Sequence, residues 1–318
     1  VRALTRASRA FYEQPPEGFT AEPLITPRGV MYVAMHQQVA MLRQIEAELK
    51  PLTPGLRHLS TDEAVALVPC LRREQVLGAL LDPGARDLDV NALHQGFLKG
   101  LRQRGGVVRT GAALASAVRD GDHWQLQLDN GESIQADAIV NAAGAWADEI
   151  AVLCGARPVG LEPRRRSAFT FAAPEGVDAS RWPAVVGADE SYYFKPDAGQ
   201  LLGSPANADP TVPHDVVPEE LDIAMGIHQI ECVTTLSIRR PRSTWAGLRS
   251  FVPDGEIVIG WDVDCPGFFW LAGQGGYGIQ SAAGASQLAE ALLLGDPLPL
   301  ELARHGVDPY AVAVQRLR

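Results

Sequence analysis

Paired cysteines, paired histidines and long apolar runs are all missing from this 318-residue chain. Its four cysteines, Cys70, Cys154, Cys232 and Cys265, stand far apart without C-x-x-C spacing. That excludes a zinc knuckle or a redox dithiol and fits a reducing, cytoplasmic setting. None of the seven histidines falls into H-x-x-x-H or H-E-x-x-H, so no metal site is expected. The apolar runs fall well short of the roughly 18 to 20 residues that span a bilayer, and no signal peptide is visible, so a soluble protein without a transmembrane segment is expected. Positive charge is in deficit: 28 Lys and Arg against 38 Asp and Glu give a net charge of −10. That balance argues against general binding to nucleic acid or to anionic membranes. An initiator methionine is absent too, and Val1 to Tyr12 already reads as a helix with Leu4, Ala7 and Phe11 on one face and no N-cap before it.

What the chain does contain suggests two domains and a sizeable core. Its organising stretch is Phe268 to Leu294. The apolar, aromatic Phe268 to Ala272 reads as a buried strand. The loop Gly273-Gln274-Gly275-Gly276-Tyr277-Gly278 follows, and then come about sixteen residues that read as a helix. Such a loop lets backbone N–H groups approach a phosphate or a ring edge, with the helix N-terminus adding its positive end. A tight glycine turn is the plainer reading. Gly273, Gly275 and Gly278 match G-x-G-x-x-G literally, but that fingerprint needs a further strand and an acidic residue roughly 20 positions on. Here Gly295-Asp296-Pro297 follows the helix and the chain soon ends. The loop therefore closes a nucleotide fold rather than opening one.

The intervening sequence alternates in character. Gly29 to Met35 reads as a strand leading into a helix over Gln37 to Leu49, with Val39, Leu42, Ile45 and Leu49 at helical spacing. Ser60-Thr61-Asp62-Glu63 is a capping box for a short helix. Asn91 to Arg104 reads as an amphipathic helix turning Leu93, Phe97 and Leu101 inward, followed by a Gly105-Gly106 stop and a strand over Val107 to Thr110. Trp124 to Leu128, Asp129-Asn130-Gly131 and Ser133 to Ala136 form a hairpin. Ala138 to Asn141 is a short buried strand delivering Ala142-Ala143-Gly144-Ala145-Trp146 into a helix over Ala147 to Cys154. Small residues at a strand's carboxyl end let a ligand reach the backbone, although close packing of helix on sheet would also account for them. Ser167 to Ala172, Tyr192 to Pro196 and Gln200 to Gly203 read as antiparallel strands covered by a helix over Pro218 to Leu236. Thr244 to Val252 and Glu256 to Gly260 then lead back to the glycine loop.

Several motifs line up in order. Asn141 to Trp146, Gly247-Leu248-Arg249-Ser250 with Pro253-Asp254-Gly255, and Gln274 to Gln280 resemble the D-amino-acid oxidase superfamily of FAD-dependent oxidoreductases. Ala92 to Gly96, Arg165 to Phe169 and Leu202 to Pro210 extend the likeness, which is closest to bacterial D-arginine (broad-specificity D-amino-acid) dehydrogenases and covers nearly the whole chain. The resemblance implies an α/β fold. It pairs a FAD-binding Rossmann-like domain (1–18, 78–150 and 244–318) with an antiparallel-sheet α+β substrate domain (19–77 and 151–243). It also implies that on the order of 50 residues carrying the true G-x-G-x-x-G would precede Val1.

The expected chemistry is FAD-dependent oxidative deamination of a D-amino acid, giving an imino acid and then a keto acid and ammonia, with the electron acceptor open. By the same resemblance, Arg166 and Arg249 hold the substrate carboxylate, a task suited to a planar, permanently charged fork. Tyr193 closes on that group, the Gly247 carbonyl faces the amine, and Gln280 joins the catalytic set. Leu114, Ala142, Ala143, Gly144, Trp146, Gly275, Gly276, Tyr277, Gly278, Ile279 and Gln280 hold FAD. On residues alone, the arginines could be a solvated basic edge and Tyr193 a packing residue. A silent partner subunit and a flavin oxidase of secondary amines such as sarcosine or proline are the competing functions. Relatives that prefer cationic substrates carry an acidic residue where this chain has Val30, and the strand Ala184 to Val186 is small and apolar, so neutral, apolar D-amino acids are the expected substrates.

Overall fold

The structure, a computed structural model, describes residues 1–318. The chain begins with α1 (Arg2–Glu13), β1 (Ile25–Pro27), β2 (Val30–Ala34), α2 (Val39–Leu49), β3 (Arg57–Leu59), α3 (Thr61–Leu67), β4 (Gly78–Asp82), β5 (Arg86–Leu88) and α4 (Val90–Gln103). A meander of β6 (Leu114–Asp120), β7 (His123–Leu128) and β8 (Ser133–Ala136) precedes β9 (Ile139–Asn141), the 3-10 turn Gly144–Trp146 and α5 (Ala147–Leu153). Next come β10 (Glu162–Phe171), β11 (Ala184–Gly187), β12 (Tyr193–Asp197), β13 (Gln200–Ser204), β14 (Asp209–Pro210) and α6 (Glu220–Val233). Finally there are β15 (Ser243–Phe251), β16 (Val258–Trp261), β17 (Phe268–Ala272), α7 (Gly278–Leu294) and α8 (Leu300–Arg304).

Two sheets matter for the site. The larger has nine strands in the order β14-β10-β13-β12-β11-β2-β4-β3, with β15 paired to β10. It is antiparallel except where β11 runs beside β2. The smaller is β16-β17-β9, with β17 parallel to β9. The largest core cluster lies with the nine-stranded sheet and α6: Phe169, Phe194 and Leu201 are fully buried with Ile230. A Cβ at Gly203 or Gly226 would come within 2.8 or 2.9 Å of the Phe169 ring, so the helix reaches the sheet only because these two positions carry no side chain.

The organising helix is clamped from behind. Gly284 N–H donates to Ser8 Oγ at 2.8 Å, and a Cβ there would meet the Leu4 carbonyl at 2.6 Å, so α1 and α7 are in backbone contact. Tyr12 hydroxyl donates to the Ile279 carbonyl at 2.6 Å, fixing the first turn of α7 to α1. The Ser60–Glu63 capping box forms in both directions.

Two local expectations fail, and one strand forms that the pattern does not signal. Val107 to Thr110 forms no strand, and Val107 is 73% exposed: a β-prone run without a partner strand has no ladder to join. Phe97 and Leu101, expected inward on α4, are exposed, although Phe97 still stacks on Phe11 at 5.7 Å. The unsignalled strand is β6: Leu114 to Asp120 lacks a clear alternation, and its pairing to β7 carries a bulge at Leu114/Ser116.

The cysteines yield a direct test. Burial pushes the Cys70 thiol up to about 12, and burial first, with neighbouring Cys265 second, pushes the Cys154 thiol up to about 11. Cys265 is also buried, and Cys232 alone is partly exposed. Near pH 8 the native protein is expected to react with about one equivalent of DTNB, and all four thiols only after unfolding. Rapid reaction of two or more would contradict this packing.

Candidate active site

In the β10–β15 ladder Arg166 stands opposite Gly247, and Arg164 opposite Arg249. Residues directly opposite across antiparallel strands share a face, so both candidate arginines and Gly247 line one side of the sheet. Tyr193, near the start of β12, lies within hydrogen-bonding reach of the Arg166 guanidinium. The glycine loop meets this face. Gly275 N–H donates to the Ser250 carbonyl at 2.9 Å, and a Cβ on Gly276 would lie 3.3 Å from Arg249 Nη1. The loop can rest against the guanidinium because Gly276 is bare.

The electrostatics set these two arginines apart. Arg164 pairs with Glu162, and Arg165 with Glu219 and Asp222. Arg166 has no carboxylate partner; its Nε donates to the Asn207 carbonyl. Arg249 has no ion pair or side-chain hydrogen bond at all. Burial, and then the like charge of Arg249, push the Arg166 guanidinium below its ordinary value. Two partly buried cations on one face of the sheet, neither ion-paired with a carboxylate, are costly, and a bound carboxylate would relieve both. Space for one exists, since nothing lies within 4 Å of where a Gly247 side chain would stand.

A crevice adjoins the arginines. β9 and β17 run parallel with Trp270 opposite Asn141, so their carboxyl ends open the same way. The loops Ala142–Trp146 and Gly273–Tyr277 leave those ends side by side. Asn141 braces its loop, with Nδ2 donating to the Ala147 carbonyl at 2.7 Å and Oδ1 accepting from Ala143 N–H at 3.3 Å. The turn Gly144–Trp146 packs against β15. Ala142, Trp146, Gly276, Tyr277, Ile279 and Gln280 are exposed there, while Ala143, Gly144, Gly275 and Gly278 are half-buried. Cavities of about 460 and 580 Å³ flank the start of α7; Gln280 lines both, Gly276 and Ile279 the first, Tyr277 the second. Leu114 sits apart, opening β6 and packing against the core that holds Ala147 and Trp270.

The structure adds groups that sequence reading missed. Tyr32 is held above the usual phenol range by burial first, then by Asp82, Glu190 and Tyr277. Glu190 also acts on Arg166. Glu190 takes a left-handed conformation, φ 56°, in the turn between β11 and β12; the polar run Asp189-Glu190-Ser191 was the only signal for it. These charges couple Tyr277, in the glycine loop, electrostatically to the wall of the large sheet.

A ligand crevice at parallel strand ends thus adjoins an antiparallel sheet bearing two arginines without ion-pair partners. The chain belongs to the FAD dependent oxidoreductase (DAO) family, whose pattern it matches over residues 1–292. It is 25% identical over 295 residues to hydrogen cyanide synthase subunit HcnC of Pseudomonas aeruginosa, covering 90% of this chain and 69% of that one. It is 26% identical over 268 residues to mitochondrial dimethylglycine dehydrogenase of Mus musculus, covering 76% and 30%. It is 26% identical over 274 residues to a D-amino acid dehydrogenase of Cereibacter sphaeroides, covering 82% and 59%. This chain thus spans between under a third and about two thirds of these relatives' lengths. The crystal structure of glycine oxidase from Geobacillus kaustophilus superposes with a TM-score of 0.83 at 18% identity, covering 98% of this chain and 81% of that one.

The family's cofactor is FAD, and the residues here fit it. Gly144 has φ +58° with nothing within 4 Å of a Cβ position, Gly276 is bare against Arg249, and exposed Trp146, Tyr277 and Ile279 offer apolar surface around the start of α7. The first turn of that 17-residue helix adds N–H donors without partners in the helix and the positive end of its dipole.

Proposed function

We propose that this chain is the body of a flavoenzyme that oxidises the Cα–N bond of a D-amino acid to an imino acid, which water then converts to a keto acid and ammonia. The observation that carries this reading is the pair Arg166 and Arg249, which share one face of the sheet beside the crevice with no ion-paired carboxylate. In this reading the two guanidiniums clamp the substrate carboxylate, Tyr193 closes on it, and the Gly247 carbonyl accepts a hydrogen bond from the neutral amine. Gln280 and the loops Ala142–Trp146 and Gly275–Ile279 would hold FAD, and Leu114 would support it from the meander. Bound there, FAD supplies the acceptor for the hydride that leaves Cα. The chain itself binds, orients and holds the amine unprotonated; no side chain needs to act as base. The division at 1–18, 78–150 and 244–318 against 19–77 and 151–243 belongs to the same reading, with β4 and β15 bridging the two parts through the nine-stranded sheet.

For the substrate side chain, Val186 stands opposite both Tyr32 and Tyr193 and forms the wall with Val30 and Ala184. The argument from Val30 for neutral substrates is weakened by Asp82, directly opposite Val30, and by Glu190. Either carboxylate could balance a cationic side chain. We therefore expect kcat/KM for D-arginine and D-leucine to lie within about tenfold of each other, and Glu190→Gln to lower the D-arginine value alone by roughly fivefold, the range of an exposed ion pair. An unchanged ratio would take Glu190 out of the pocket.

One observation favours a second reading, oxidation of an N-substituted glycine: the 26% identity to dimethylglycine dehydrogenase. A flavin absorbance scan of the purified protein, followed by turnover of D-leucine, D-arginine and sarcosine with an artificial acceptor, separates the readings. Sarcosine alone would favour the second, and no flavin with no turnover a silent subunit.

A further inference from the structure

Arg166 lies on the cleft face of β10, while its neighbours Arg165 and Ser167 point to the opposite face, toward α6. There they meet Asp222, in the first turn of α6, whose side chain is 12% exposed. A single oxygen, Asp222 Oδ2, accepts from Arg165 Nε at 3.1 Å, Ser167 Oγ at 2.9 Å and Asn207 Nδ2 at 3.0 Å. Asn207 is the connecting piece. Its Oδ1 accepts from Ser167 N–H at 2.9 Å, its Nδ2 also donates to Asp209 at 2.7 Å, and its carbonyl accepts from Arg166 Nε. The preceding Ala206 has φ 51°, a conformation that an alanine keeps only when its surroundings impose it. Ser204 Oγ helps to impose it, donating to the Ser167 carbonyl at 2.7 Å and accepting from Ala206 N–H at 3.0 Å.

We infer that Asp222 is a positioning residue for Arg166, acting through Asn207 from the far side of the sheet. The Asp222 carboxylate and the Ser167 N–H together fix both ends of the Asn207 amide, which aims the Asn207 carbonyl at Arg166 Nε. That contact leaves the guanidinium's two terminal nitrogens free to present a fork to the cleft. Without it, a half-buried cation repelled by Arg249 has only Tyr193 and the charge of Glu190 to hold its direction. A misdirected fork loses bidentate contact with an anion even though the charge remains.

The inference rests on the reading that Arg166 binds the substrate carboxylate, and the variants separate the two. The probes are D-leucine for kinetics and 4-methylpentanoate, a carboxylate that carries no amine to oxidise, for calorimetric binding. Asp222→Ala is expected to raise KM for D-leucine and Kd for 4-methylpentanoate about tenfold while changing kcat less than about threefold. Asp222→Asn keeps an acceptor for the Asn207 amide and is expected to restore both constants to within about threefold of the parent. In an Arg166→Met background, Asp222→Ala is expected to add nothing, because its effect runs through the missing side chain. If Asp222→Ala does not fold, Asn207→Ala, which keeps the backbone carbonyl and removes its tethers, carries the same expectation. Parental KM and Kd in folded Asp222→Ala or Asn207→Ala, with Arg166→Met impaired, would overturn the positioning role alone. A parental Arg166→Met would overturn the carboxylate reading first.

Discussion

Replacing Arg249 with methionine is expected to lower kcat/KM for a D-amino acid by roughly 30- to 5,000-fold in the flavin-loaded enzyme. That corresponds to the roughly 2–5 kcal/mol usually lost when one partner of a buried charged contact is removed. The loss should fall mainly on KM and on the affinity for a substrate-like carboxylate, since the guanidinium holds the substrate rather than moving a proton. Stability should move the other way. Arg249 has no ion pair in the folded chain, and its charge opposes that of Arg166. Methionine fills similar space without that repulsion, so the melting temperature should be unchanged or higher. A site that stabilises its ligand at the expense of the empty fold behaves in this way. Steady-state kinetics and a thermal melt on one preparation test both halves. Near-parental kcat/KM would remove Arg249 from the site, and a marked fall in melting temperature would mean that it has a structural partner instead.

Gly275→Ala is the second large expected effect, and it acts on the fold. Gly275 has φ +54°, and a Cβ there would stand 2.8 Å from the Phe251 ring on β15. The left-handed conformation costs an alanine roughly 1–2 kcal/mol, and the overpacking about 1–3 kcal/mol more. For a chain of this size the sum corresponds to a fall of roughly 4–10 °C in melting temperature. Relief requires the loop to move off β15, which also withdraws Gly276 from Arg249 and should reduce the flavin retained on purification. Gly276→Ala is the control: its φ is permitted, and its Cβ would meet only the end of Arg249 at 3.3 Å. It should leave the melt nearly unchanged while impairing substrate binding. Equal melting temperatures for both variants would show that the loop is not pressed onto β15.

Local sequence signals suffice wherever their determinants are near neighbours in the chain. The capping box at Ser60, the Asn-Gly hairpin and the strand–loop–helix at Phe268 each carry their determinants within a few residues, and each formed at its expected place. Val107 to Thr110 had the composition of a strand but no partner, and α4 had a stripe whose Phe97 and Leu101 ends are not covered. In both cases the deciding neighbour lies elsewhere in the chain, where periodicity cannot see it.

The candidate site divides along the same line. By itself the sequence determined that this is an acidic chain of mixed α and β elements with a glycine-rich loop entering a helix, because charge balance, period and backbone freedom are properties of residues and their near neighbours. Only the tertiary structure decided that Arg166 and Arg249 share a face without an ion-paired carboxylate, that Gly276 lets the loop rest on Arg249, that Glu190 and Asp82 act on Tyr32, and that Asp222 reaches Arg166 through Asn207. Each of these depends on strand register, between β10 and β15 or among β2, β4 and β11, or on the packing of α6 against the sheet. Strand register is set by non-local pairing, and a slip of one residue between β10 and β15 would turn Arg166 or Arg249 to the other face.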